Sequence, residues 1–218
     1  MQYIYQIPAA FFALIIHEWV KARTSSALGD TTPYNNGFIT WNPLKFFEPI
    51  GFFLMLIFQV GWARPVQTSP LYYSDRRKGV IITYTTPIVV NLLLGLLALF
   101  ILRVIPYGIE AHRFSVMHYI AIAGGGVQLL SAPWGLHLGW LLNEFARFSI
   151  AVAIINLIIP VYPFSANRLI QLFVSPETVA RLNHYEKPLQ ILLILFTAFG
   201  FLSMIVNPIQ MAIIRMVM

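Results

Sequence analysis

His17 and Glu18 close an apolar run that begins at Phe11, and Lys21 follows one helical turn later. A His-Glu-x-x-His segment on a helix sets two imidazoles at i and i+4 on one face. There they hold Zn²⁺, while the glutamate between them serves as base toward a metal-bound water. In this chain the i+4 position is Lys21 instead of a second histidine. An ammonium has no lone pair to give a metal, and lysine stays protonated at neutral pH unless it is strongly desolvated. The segment therefore predicts a site whose metal is either absent or held by other residues.

The replacement ligands on offer are few. His112, His118, His137 and His184 have no i, i+3 or i+4 spacing to another histidine, and each reads first as a loop or interface residue. His137, inside the apolar Trp134-Gly135-Leu136-His137-Leu138, is the one named alternative ligand, with Glu144 two turns later as its partner on a similar face. The chain has no cysteine, which excludes thiolate metal sites and disulfides. Gly124-Gly125-Gly126 lacks the Lys and Ser/Thr of a phosphate loop and reads as a helix-packing element.

The elements that carry these residues are apolar. Of 218 residues, 58% are hydrophobic and 10% are charged, whereas soluble domains carry about 25% charge; this composition predicts a bilayer protein. Runs near the length of about 20 residues that a crossing needs lie at Tyr3–Val20, Phe46–Ala63, Val80–Ile105, within Val116–Pro160, and at Leu189–Val206. With two spans in the fourth region, the expectation is an all-α, multi-pass integral membrane protein of five to six transmembrane helices, one domain over 1–218. The first residues lack a basic stretch, so the first run is expected to remain as a span and not to be cleaved as a signal.

After the first helix, turn residues flank Phe38-Ile39-Thr40-Trp41, which predicts a small β-hairpin-like loop. The basic cluster in Asp75-Arg76-Arg77-Lys78 marks the cytoplasmic side best. Lys21, Arg23 and Lys45 would lie opposite it if 46–63 crosses fully. A re-entrant or tilted segment, allowed by Pro49 and Gly51, removes that conflict, and orientation stays open. The net charge of +6 sits mostly in short loops, where it speaks for topology or anionic lipid and against nucleic acid.

An ordered series of motifs resembles the site-2 protease family of intramembrane zinc metalloproteases, in its compact form. After His17-Glu18 come Leu28-Gly29-Asp30-Thr31-Thr32-Pro33, Gly37, Asn42-Pro43-Leu44-Lys45, Glu48-Pro49-Ile50-Gly51 and Gly61-Trp62-Ala63-Arg64-Pro65-Val66, close to the family's G-W-A-K-P-V. Two further motifs are altered. The family's G-P-x-x-N becomes Thr86-Pro87-Ile88-Val89-Val90-Asn91, with the asparagine one residue late. The segment bearing the third zinc ligand becomes Asn156-Leu157-Ile158-Ile159-Pro160-Val161-Tyr162-Pro163-Phe164-Ser165-Ala166-Asn167-Arg168, and Ser165 stands where the family has aspartate.

The resemblance thus implies that two of three metal ligands are replaced, by Lys21 and Ser165, with His17 left as a ligand only if metal is bound. It also implies a balance of charge. The family site sums Zn²⁺ with two carboxylates to near zero, and Lys21 with Glu18 does the same, as the cost of an unpaired charge in a bilayer requires. Glu18 and Lys21, three residues apart, are expected to pair. The expected function is a catalytically inactive relative that binds or scaffolds the transmembrane helices of other membrane proteins or of a larger complex, with no cofactor. The alternative is an active zinc protease in which His17, with His137, binds the metal and Glu18 is the base. A transporter or channel is disfavoured, because few charges lie within the spans to make an ion path.

Overall fold

A computed structural model describes residues 3–105, 108–112 and 134–218. His118, the Gly124–Gly126 run and the first half of the 116–160 region lie outside these residues, so the second span expected there is not among them.

The described residues are helical, without strands. They comprise α1 (Tyr3–Ala27), α2 (Thr32–Asn35), α3 (Pro49–Phe58), α4 (Arg76–Val104), α5 (Trp134–Ile158), α6 (Ser165–Ile170), α7 (Pro176–His184), α8 (Glu186–Ala198) and α9 (Phe201–Val217). Helices α1, α4 and α5 pack mutually into the core. Small residues set their spacing: Ala9, Ala10 and Ala13 of α1 are buried, and a Cβ on Gly95 of α4 would come within 2.7 Å of Ile150 on α5. Helix α5 is the central element, with nearly every side chain from Ala146 to Asn156 buried.

Two helices, α4 and α5, are long and apolar enough to cross a membrane, and a third crossing results if α8 and α9 count as one broken span. Those two meet at 66° across a break at Phe199-Gly200, where Gly200 takes the left-handed φ of 78°. The expected span at 189–206 is therefore a bent pair extending to Val217. At 25 residues α1 is long enough to cross, but Gln6, His17, Glu18 and Lys21 interrupt its apolarity.

The expected crossing at 46–63 is corrected to half its length. Helix α3 has only 10 residues, about 15 Å of rise, half of the hydrocarbon thickness. Glu48 starts it by accepting from the Ile50 and Gly51 amides, and Gln59 stops it in the left-handed region at φ 58°. The chain then returns against α3. Trp62 O would lie 2.2 Å from a Cβ on Gly51, and Gly51 O 2.0 Å from a Cβ on Gly61, so only glycine fits at both positions. The 46–63 run thus doubles back on itself at Gln59.

The hairpin at Phe38–Trp41 does not form; Phe38 has no regular structure and Ile39, Thr40 and Trp41 are bends. Phe38 turns inward against Phe46 at 5.5 Å between ring centroids, and Trp19 donates to Thr40 O at 3.2 Å. Packing and a side-chain bond to α1 take the place of a strand partner.

The loop after α1 is pinned by Asp30, which is 1% exposed. Its carboxylate accepts from Ser25 Oγ at 2.7 Å, Thr32 N at 2.9 Å and Ser69 N at 2.8 Å. Burial alone would push this carboxyl up, but the hydrogen bonds from Thr32, Ser69 and Ser25 outweigh it and hold it below the usual carboxylate value. A folded value below the unfolded one stabilises the fold fully above the unfolded value of about 3.9. That contribution is lost as pH falls through the folded value. Asp30→Asn is expected to lower stability at pH 7 by about 1–3 kcal/mol and to remove this acid limb, read by denaturation in detergent across pH.

Candidate functional site

The site assembles where the C-terminal half of α1 meets α6, α4 and the segment after α3. Position 165 is 148 residues from His17 in sequence, yet Ser165 Oγ lies 3.3 Å from His17 Nε2. Ser165 opens α6, and its amide donates to Asn156 Oδ1 at 3.1 Å. Asn156 is itself fixed on α5 by donating to Val152 O at 3.0 Å. The Asn156-to-Ser165 segment thus closes on itself, with Pro163 buried in the turn, and delivers the serine hydroxyl to the histidine.

Lys21 Nζ donates to Glu18 Oε1 at 2.7 Å. The lysine is 1% exposed and Glu18 5%, so both charges are withdrawn from water and each depends on the other. Glu18 Oε2 accepts from the backbone amide of Val66 at 2.7 Å, which occupies the second carboxylate oxygen. The Lys21 ammonium also sits 5.4 Å from the ring centroid of Tyr84 on α4, within cation–π range.

Asn91 is better placed than its one-residue shift suggested. It is fully buried, and its Nδ2 donates to Ala13 O at 3.0 Å, one turn before His17. At about 100° per residue, an asparagine three residues after a proline sits about 60° to one side of it, and one four residues after sits about 40° to the other. The position taken by Asn91 lies within about 40° of Pro87, and both residues are buried.

His137 is not at this site. Its Nδ1 pairs with the hydroxyl of Tyr5, and its ring packs on Trp140 at 5.6 Å. Tyr5 lies 12 residues before His17 on the same helix, about 18 Å along its axis. Glu144 pairs with Arg147 at 3.4 Å instead. His112 meets Asn143 at 2.9 Å, and His184 is exposed against Tyr185.

The donor set does not fit zinc. Of the groups brought together, His17 supplies the one imidazole, Ser165 a neutral hydroxyl and Lys21 an ammonium, while Glu18 is bound on both oxygens. Among the described residues no three His, Cys, Asp or Glu side chains converge in a way that could hold a metal ion. The void beside His17 and Glu18, lined also by Trp62, Asn156 and Phe164, holds about 10 Å³, the space of one water. Sequence reading found the four central residues but missed the Val66 amide and the Tyr84 ring. Their signal was present only as the Gly61–Val66 motif and an unremarked tyrosine three residues before Pro87.

Comparison with known proteins finds a relative. A curated protein of Bacillus subtilis (strain 168) with the name "Putative zinc metalloprotease YwhC" is 26% identical over 183 residues, which is 84% of this chain and 74% of its own length. No protein-family profile matches the chain, and no solved structure matches it. The chain is therefore similar to a metalloprotease-type protein, and its apolar helices speak for membrane association.

Proposed function

We propose that this chain is a multi-pass membrane protein of the site-2 protease type that has exchanged its metal for an ion pair, and that it binds transmembrane helices without cleaving them. The carrying observation is the buried Lys21–Glu18 contact at 2.7 Å. It places a fixed ammonium at the position that a second histidine would need, and it engages the carboxylate that would serve as base. With one imidazole, no acidic ligand at 165 and a base held in a salt bridge, the site lacks the ligand set that would hold a metal and its water, and its carboxylate is not free to act as base. The motif resemblance supplies the partner class, a transmembrane helix of another membrane protein.

Metal content and cleavage together test the reading. The protein is purified in detergent, equilibrated with zinc, and assayed by inductively coupled plasma mass spectrometry. It is then reconstituted with a single-pass transmembrane peptide carrying a photo-crosslinker. Substoichiometric zinc with crosslinking to intact peptide is the expected result. Near one equivalent of zinc with peptide cleavage would sink the proposal, and so would a failure of the peptide to crosslink above a water-soluble helical control.

A further inference from the structure

Arg76, at the start of α4, and Arg168, on α6, are far apart in sequence but line one cleft of about 260 Å³. Among the described residues neither guanidinium is paired with a carboxylate. Arg168 donates from Nη1 to Gln171 Oε1 at 3.0 Å. The glutamine is oriented in turn by donating to Asn167 Oδ1 at 3.3 Å and Asn183 Oδ1 at 3.5 Å. One of the five N–H groups of Arg168 is thereby used to aim the guanidinium, leaving most of its donor fork open.

The rest of the cleft is mostly apolar, with a few polar groups. Thr68 and Tyr84 present hydroxyls that pair at 2.9 Å, opposite Val80, Leu172 and Val179, and no acidic side chain lines it. The nearest carboxylate in sequence, Asp75, is taken by the backbone amide and Nζ of Lys78. Arg77 stacks on the exposed Phe173 at 5.4 Å, so the cation density continues around the rim. Glu186 belongs to the adjoining larger cavity, which shares Thr68, Tyr84 and Arg168 with this one.

Depth identifies the ligand. Arg76 is the first residue of a 29-residue helix apolar enough to span a membrane, so the cleft opens at the level where the helix enters the interface, the level of lipid phosphates. The volume lies below the range of drug-sized sites, about 300–1,000 Å³. It suits a phosphate with its glycerol, whose acyl chains would run down the outside of the bundle past exposed Leu71 and Phe173. We propose that this cleft binds the phosphate of an anionic phospholipid headgroup, with Arg76 and Arg168 donating to its oxygens and the Tyr84–Thr68 hydroxyl pair beside them. Because the Tyr84 ring also faces Lys21, the bound headgroup lies one side chain away from the Glu18–Lys21 pair.

Native mass spectrometry of the full chain in detergent tests this, with equimolar phosphatidylglycerol and phosphatidylcholine and a parallel arm of excess inorganic phosphate. The expected result is at least about tenfold preferential retention of phosphatidylglycerol, lost in Arg76→Gln/Arg168→Gln and kept in Arg215→Gln at the far end of α9. Both arginines of the double variant are exposed, where substitutions usually cost little stability, and an unchanged melting temperature verifies that the fold is intact. Equal retention of both lipids, or a preference that survives the double substitution, overturns the proposal. Displacement of the lipid by inorganic phosphate assigns the cleft to a soluble phosphate and overturns the lipid source.

Discussion

Lys21→Met is expected to lower stability by about 3–5 kcal/mol, because it leaves the Glu18 carboxylate buried without its counter-ion. Methionine closely matches the lysine stem in length, so the packing around the chain at position 21 is kept and the change isolates charge. Glu18 retains only the Val66 amide at 2.7 Å, one hydrogen bond for a group that is 5% exposed. Adding Glu18→Gln removes the orphaned charge, and the Lys21→Met/Glu18→Gln double variant is expected to regain most of the loss, since replacing both partners of a buried pair is often neutral. Denaturation of all three variants in one detergent reads the coupling as a double-mutant cycle. A coupling near zero would mean that the two charges contribute independently, and that Lys21 is not the counter-ion the site depends on.

Much of this site is legible in the sequence because polar residues in apolar runs stand out. His17, Glu18 and Lys21 interrupt an otherwise hydrophobic helix, and their spacing fixes which of them share a face. Ser165 is legible only through motif order, since nothing local says that it will meet a histidine 148 positions earlier. What stayed hidden depends on backbone geometry. The reversal after α3 follows from a left-handed Gln59 and the Gly51–Gly61 approach, and the returning chain brings the Val66 amide to Glu18. That Asn91, one residue late in its motif, would bond the Ala13 carbonyl of α1 was likewise not legible from the motif spacing. Hydropathy also overstated the crossings at 46–63, where ten helical residues and the returning chain share one apolar run.

On the proposed reading, Lys21→His/Ser165→Asp is expected to create a metal site and take up near one equivalent of zinc where the natural chain takes up little. The distances favour this. Two donors bound to tetrahedral zinc at about 2.0–2.1 Å are about 3.3–3.4 Å apart, and His17 Nε2 and Ser165 Oγ already stand 3.3 Å from each other. A histidine at 21 lies one turn from His17 on the same face, and removing the ammonium frees the Glu18 carboxylate that it holds. Either single substitution should fall short, because Ser165→Asp alone adds an acid beside an ammonium and Lys21→His alone leaves a hydroxyl as third ligand. Adding Glu18→Gln to the rebuilt protein should leave zinc bound while abolishing any peptide cleavage that the rebuilt protein shows, separating ligand from base. If the rebuilt protein folds but takes up no zinc, the scaffold has changed beyond positions 21 and 165, and the ion pair cannot be read as a direct replacement for the metal.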